Sequence, residues 1–425
     1  MSMGPHDTPG DVLPDQVTDI DLLDPATQED WFPTYRRLRD EAPVYRMPGT
    51  SIYVLTRYED VMWVIRHPDR FPNGYATIRH ESARKIYQKQ GFPKGTVLGT
   101  NPPEHRKFRA LVDPHFSLEG SERWVSRIEA LAHHLIDQFS ADGQVEFVSS
   151  FALPLPVTMI TVILGLPLDD LEQLKAWSEA WVLPFSGPLS EDQENWVAEQ
   201  GVAFQNYILD HLRERRANPQ DDVISHLAQA VYDGERPLTD SEIVRIVDHL
   251  YIGGNETTTF ALTSALWILL REPGLYERLT GDRGLVEPFI EEVLRLESPT
   301  QGLYRITTRD EELHGVAIPE GSTIHIRYAA ANRDERIFAN PAEVDLERSN
   351  LKRHMAFSLG EHHCPGSGLS RTEQRIALNV VLDRLPGLAL DHNRNDYTHL
   401  PGLVLRALRE LHVTFTPSEP TGRSA

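Results

Sequence analysis

The spacing of apolar positions divides the chain into a short strand-like beginning and a long helical remainder. Near the N-terminus, residues 44–46 and 52–56 read as two strands separated by the turn Pro48-Gly49-Thr50. Beyond about residue 100, apolar residues recur every three or four positions, and this predicts helices over 121–139, 153–166, 168–182 and 192–216. The clearest helix runs over 240–270. Thr239 and Glu242 make a capping-box pattern at its start, and Pro273 lies just past its end. At ~1.5 Å per residue it reaches roughly 46 Å, the width of a domain. Its apolar flanks (Ile243, Ile246, Leu250, Leu262, Leu266, Leu269) mark it as threading the core. A helix over 286–296 follows, then strands at 303–307 and 323–327, and an irregular stretch that reaches Cys364. A helix after Pro365 and a strand-like ending at 412–415 complete the pattern. The expected class is mainly α with a minor β part.

Composition narrows the function classes. The chain has 425 residues, 40 % of them hydrophobic and 25 % charged, which fits a globular protein with a large core. Residues 1–16, rich in Pro, Gly and Asp, lack the basic start and apolar run of a signal peptide and are expected to be a flexible leader. The remainder, 17–425, has no repeat or low-complexity linker and is expected to form a single domain. No stretch approaches the run of about eighteen apolar residues that a membrane span requires, so a cytoplasmic protein is expected. With 42 basic against 63 acidic residues the formal charge is −21, which argues against nucleic acid as a partner. The single cysteine, Cys364, excludes an intramolecular disulfide and must carry any thiolate chemistry alone.

That cysteine sits in the segment His354-Met355-Ala356-Phe357-Ser358-Leu359-Gly360-Glu361-His362-His363-Cys364-Pro365-Gly366. Pro365 is a plausible first helical position. The positive end of the following helix would favour a thiolate over a thiol. Gly360 and Gly366 permit positive φ or close approach to a flat ligand. A lone cysteine is more commonly a small buried hydrophobe. A zinc site using Cys364 with His354, His362 or His363 lacks the several cysteines and the spacing that structural zinc uses. Phe357, Gly360, Cys364 and Gly366, however, match F-x-x-G-x-x-x-C-x-G, and the segment resembles the cysteine loop of the cytochrome P-450 superfamily, soluble bacterial type. The resemblance implies the cytochrome P-450 fold with a long central helix crossing the haem, and it implies haem b with Cys364 as the iron ligand. Its thiolate would push electron density towards O–O cleavage. Ser358 stands where bacterial members usually carry Gly.

The long helix contains Gly253-Gly254-Asn255-Glu256-Thr257-Thr258. Two glycines inside a helix cost about 1 kcal/mol each relative to Ala, so they require a reason. They either make room for a flat group or allow helix–helix packing. The Thr257 hydroxyl is placed to bond back to the Gly253 carbonyl four residues earlier. The segment resembles the family's oxygen-activation motif. That resemblance implies a proton relay at Glu256 and, at Thr257, a hydrogen bond that steadies activated dioxygen.

The same resemblance assigns further residues. Glu292 and Arg295 share a helix face, and in the family such a pair is buried and completed by an arginine, here Arg348. His105 and Arg109, Arg305, and His362 fall at the positions that hold the haem propionates. Gly253, Gly254, Phe357, Gly360 and Gly366 would border the cofactor. Asn101 replaces a common Asp, and Ala331-Asn332-Arg333-Asp334 matches a further family segment. Arg106, Lys107 and Arg109 form a basic cluster on an acidic protein, which Arg353 and Arg371 would extend. They are expected to receive an acidic ferredoxin or flavodoxin, although a solvated helix face is the plainer reading of the same charges.

The expected activity is therefore insertion of one oxygen atom from dioxygen into a small organic substrate by hydroxylation, epoxidation or O-dealkylation. No G-x-G-x-x-G occurs, so electrons from NAD(P)H would arrive through a separate reductase and carrier. A peroxide-driven or rearranging haem-thiolate enzyme would tend to lack the Glu256–Thr257 pair. A haem-binding ligand or gas sensor without turnover stays open. The substrate pocket is expected from the 76–99 loop, the 182–189 turn, the helix near Leu250 and Gly254, residues 300–303, and the tail near Leu403-Val404. Charges at Glu81, Arg84, Lys85 and Lys89 leave a polar or carboxylate-bearing substrate open beside the default apolar pocket.

Overall fold

The computed structural model describes residues 17, 19–74, 79–93 and 99–422, so the expected leader at 1–16 lies outside the described residues. The long helix spans Asp240–Arg271. Both halves of its capping box form: the Glu242 N–H donates to Thr239 Oγ1 (3.3 Å), and the Thr239 N–H donates to Glu242 Oε2 (2.8 Å). Its buried positions lie on every side rather than on one stripe, from Ile243 and Val247 through Phe260 and Leu262 to Leu269. This is the signature of a helix enclosed by others. Helices Pro154–Leu164, Glu191–Ala217, Val286–Glu297 and Ser367–Arg384 all pack against it, and the largest apolar cluster surrounds it.

The β part is small and peripheral. A four-stranded sheet has the order Val44–Arg46, Ile52–Leu55, Thr323–Ile326, Leu303–Ile306. Ile52–Leu55 runs parallel to Thr323–Ile326, and the other two pairings are antiparallel. A second apolar cluster under this sheet, including Leu55, Ile324, Ile326 and Phe338, reaches Met355 at the start of the cysteine loop. Strand His412–Thr414 joins Gln144–Glu146 and Ala389–Leu390 in a three-stranded sheet. Among the described residues, no helix is long and apolar enough to cross a membrane.

Three boundaries differ from the sequence pattern. The predicted helix over 121–139 is split into Leu118–Glu122 and Val125–Asp137. Ser117 caps the first piece through the Gly120 N–H, and a side chain at Gly120 would run into the Pro114 carbonyl. The predicted helix over 168–182 opens with one tight turn at Leu168–Asp170 before the α-helix Leu171–Val182. Helices Trp31–Glu41, Tyr58–Arg66 and Glu81–Gln90 occupy a region read only for strands. The first of them buries Trp31, Tyr35 and Leu38, a helical spacing overshadowed by the charges between them.

Candidate active site: the cysteine loop and the long helix

The cysteine loop is held by its own backbone and by contacts from distant segments. The Cys364 N–H donates to Phe357 O (2.8 Å) and the Ser358 N–H to Met355 O (2.8 Å), which closes the loop. Gly360 has φ +67°, a left-handed conformation suited to glycine. Ser358 adopts φ +57°, also left-handed, without being glycine. Its hydroxyl accepts a hydrogen bond from the Tyr328 phenol (3.0 Å), and both residues are buried. The helix beyond the loop starts at Ser367 with Gly366 as its cap, so Pro365 is not a helical residue. Pro365 and Gly366 instead form a turn that aims the Gly366 N–H at Cys364 Sγ. Gly366 itself has φ −80°.

Cys364 is wrapped by protein, and its accessible surface opens into an internal cavity of about 220 Å³. Burial pushes the thiol pKa up, against the Gly366 N–H and the charges of Arg109 and Arg371. In the free thiol, burial thus opposes the thiolate preference expected from the helix end. Among the described residues no three His, Cys, Asp or Glu side chains come together as a metal site. Two of the histidines near Cys364 are engaged elsewhere: His354 Nε2 lies 2.8 Å from Glu291 Oε2, and the His362 ring accepts from the Asn73 amide (2.9 Å).

The long helix forms another wall of the same cavity, which Gly253, Gly254, Glu256, Thr257 and Thr258 line. Thr257 Oγ1 donates to Gly253 O at 2.9 Å. A side chain at Gly253 would meet nothing within 4 Å, whereas one at Gly254 would collide with Ile160 of the neighbouring helix at 2.8 Å. The two glycines therefore have different reasons: one leaves the cavity open, and the other permits close helix packing. Glu256 is buried, and Ser178 Oγ donates to its Oε1 at 3.0 Å. Asn255 Nδ2 in turn donates to Ser178 Oγ (3.1 Å). Burial raises the Glu256 pKa, the Ser178 hydrogen bond opposes this, and the charge of Glu179 adds to the rise. Glu373, on the helix after the cysteine, faces the cavity with neither carboxylate oxygen partnered among the described residues, and burial raises its pKa strongly. Sequence reasoning missed both Ser178 and Glu373, since neither belongs to a local motif that marks it.

Four groups near the cysteine loop supply the chemistry for a dianionic ligand. Arg305 is buried, donates to the Tyr304 carbonyl (2.9 Å), and has no carboxylate partner among the described residues. Neither ring nitrogen of His105 has a hydrogen-bond partner among the described residues. The rings of His105 and His362 lie 4.0 Å apart. Burial, followed by nearby positive charge, lowers their pKa values to about 4 and about 3. Arg109 bonds Asp113 (2.5 Å) and Glu361 O (3.2 Å). A buried arginine without an acid, beside the unpartnered ring nitrogens of His105, fits the two carboxylates of haem. Asn101 Oδ1 accepts from the Asn73 N–H (2.9 Å) and so steadies the residue that touches His362.

Behind the loop stand three buried acid knots. Glu292 receives Arg295 Nε (2.6 Å) and Nη2 (2.8 Å) together with Arg348 Nε (3.0 Å), and all three are buried. Glu297 receives Arg406 (3.1 Å) and Arg333 (3.3 Å), and Glu291 receives Arg371 as well as His354. Arg371 also stacks on Phe357, 4.5 Å from the ring centroid. It is therefore part of the loop's support rather than a free cation. The basic cluster is neutralised in a similar way: Arg106 pairs with Glu361, and Lys107 with Asp233 (2.6 Å).

Val182, Phe185, Leu250, Thr300, Leu303, Val404 and Leu405 line the rest of the cavity. Residues 76–78 and 94–98 of the expected pocket loop lie outside the described residues. The charged helix Glu81–Gln90 packs Ala83 and Tyr87 on helix Glu191–Ala217. Its Lys85 pairs with Glu81, and none of its charges lines the cavity.

Comparison with known proteins agrees with this geometry. The family model for cytochrome P450 matches residues 32–408. Cytochrome P450 107B1 of Saccharopolyspora erythraea is 31 % identical over 408 residues, covering 94 % of this chain and 98 % of that one. The mycinamicin IV hydroxylase/epoxidase of Micromonospora griseorubida is 33 % identical over 387 residues, covering 90 % and 94 %. The crystal structure of P450BioI, in complex with hexadec-9Z-enoic acid ligated acyl carrier protein, superposes with a TM-score of 0.83 at 30 % identity, covering 92 % and 99 %. The chain belongs to the cytochrome P450 family and is a haem b monooxygenase.

Proposed function

We propose that the enzyme oxygenates a neutral, largely apolar small molecule by hydroxylation, epoxidation or O-dealkylation. Electrons would come from NAD(P)H through a separate reductase and a ferredoxin or flavodoxin docking beside Arg106, Lys107 and Arg109. The observation that carries this reading is that Cys364 and the Glu256–Thr257 pair, from two distant segments, line one apolar-walled cavity. When bound, haem supplies the iron at which dioxygen is activated. Cys364 would be its protein ligand, and Arg305, Arg109, His105 and His362 would hold its propionates.

The remaining chemistry belongs to side chains. Glu256, with its pKa raised by burial, holds a proton at the cavity wall, and Ser178 fixes the carboxyl's orientation. The Thr257 hydroxyl has its own proton engaged by Gly253 O, so its lone pairs are free to accept a hydrogen bond from a ligand. The Gly253 gap leaves room beside it. No lysine or arginine is among the described residues lining the cavity, which favours neutral substrates over free carboxylates.

The docking face keeps a modest electrostatic pull, because its cations are already paired with acids of this chain. Turnover of decalone with a plant-type ferredoxin, its reductase and isotope-labelled dioxygen tests the reading. One labelled oxygen in the product, with slower haem reduction in Arg106→Glu, is expected. NADPH consumption without labelled product would contradict it.

A further inference from the structure

Among the polar side chains that line the cavity, His249 is used by neither the cofactor clamps nor the proton relay. His249 sits on the long helix four residues before Gly253, so the two share a face of that helix. Its imidazole lines the cavity together with Leu250, Phe185, Val404 and Leu405. Its Nδ1 has no hydrogen-bond partner among the described residues. The ring packs against Trp181 in an edge-on arrangement, with centroids 5.9 Å apart. It is thereby positioned by an aromatic wall and not by any polar bond.

A buried polar atom without a partner costs about 1–3 kcal/mol, and folded proteins seldom retain one without a use. In a cavity that admits a ligand, the partner can be the ligand. The surrounding charges decide what kind. No lysine or arginine is among the described residues that line the cavity, so none of them offers a countercharge to an anionic ligand. Burial alone lowers the His249 pKa to about 4, so at neutral pH the ring carries one N–H donor and one acceptor. A neutral imidazole suits a hydroxyl or a carbonyl and gives a carboxylate no countercharge.

We propose that His249 determines specificity by hydrogen-bonding a single neutral oxygen, hydroxyl or carbonyl, of an otherwise apolar substrate. The proposal rests on the reading of this cavity as the substrate site. It adds a selection rule: the substrate already carries one oxygen function before this enzyme acts.

The test uses haem-loaded full-length protein and two matched sets: decalin, decalone and decalin carboxylate, and bicyclohexyl, cyclohexylcyclohexanone and cyclohexylcyclohexane carboxylate. Dissociation constants are measured by Soret shift and, independently, by calorimetry. The expected result is a ketone-to-hydrocarbon affinity ratio that falls about tenfold in His249→Leu, with carboxylates the weakest ligands throughout. His249→Asn, which keeps a donor and an acceptor, should retain part of the ratio. An unchanged ratio in His249→Leu, carboxylates that bind best, or no binding by either ketone would overturn the proposal. Failure of the monooxygenase reading would show separately, as haem without a thiolate-type carbonyl band, while calorimetry still reports on His249.

Discussion

The cysteine side and the long-helix side of the cavity treat charge in opposite ways. Behind the cysteine loop, Glu291, Glu292 and Glu297 each gather two side-chain donors, and most of these groups are buried. On the long-helix side, Glu256 has a single serine as donor, and His249 Nδ1 and both Glu373 oxygens have no partner among the described residues. The difference teaches what each side must do. A loop that presents one sulfur in a fixed position benefits from several long-range bonds, each of which fails if the loop shifts. A wall that must hold a proton, or greet a ligand, keeps its polar groups protonated or free, and it carries the cost of burying them.

The largest expected effect lies on the cysteine side. Glu292→Leu leaves Arg295 and Arg348 buried without their acid, which should cost about 3–5 kcal/mol. Chemical denaturation would measure it, together with loss of haem retention. The same substitution at a merely superficial pair would cost under about 1 kcal/mol, so the experiment separates the two descriptions of this motif.

Next comes Glu256→Gln on the opposite wall. Turnover should fall about a hundredfold, with an increased solvent isotope effect, while the carbonyl band stays unchanged. A shifted band would mean that Glu256 supports the fold rather than the proton path.

Acid should act on the cysteine side first. Burial raises the Glu291 pKa, but hydrogen bonds from His354 and Arg371 outweigh it and hold the carboxyl at about 2. A carboxyl depressed in the folded state contributes fully above its unfolded pKa of about 4.3, and the contribution is lost as pH falls from there towards about 2. Up to about 3 kcal/mol is at stake, so wild type should lose more stability across that window than Glu291→Gln. Denaturation midpoints at pH 5 and at pH 3 provide the comparison, and equal losses would contradict the pairing.

The smallest effect is expected at Ser358→Gly. Glycine removes a left-handed strain of about 1 kcal/mol but also removes the acceptor for the Tyr328 phenol, a loss of similar size. The denaturation midpoint should stay within about 1 kcal/mol of wild type. A larger loss would make the Tyr328–Ser358 bond a principal support of the loop.

The cysteine side was legible in the sequence where chemistry requires fixed residues at short spacing. Phe357, Gly360, Cys364 and Gly366 lie within ten positions, and Glu292 and Arg295 within one helical turn. The long helix was legible for a different reason, because a capping box and a following proline bracket it. What stayed hidden depends on contacts across long sequence distances. Glu291 meets His354 and Arg371 63 and 80 residues away, and Glu297 meets Arg406 109 away. In sequence, each looks like an ordinary surface charge. The partners of the basic cluster were hidden for the same reason, since Asp233 and Glu361 are remote in sequence. No local motif marks His249, and only the cavity gives it a role.

The central claim, that Cys364 is the iron ligand of a haem held between these two sides, is tested most directly by the reduced carbonyl difference spectrum of wild type beside Cys364→Ser. The account predicts a strongly red-shifted Soret band in wild type and its loss in the variant, with the fold intact by circular dichroism. A red-shifted band that survives in Cys364→Ser, or folded wild-type protein that takes up haem without the shift, would contradict it.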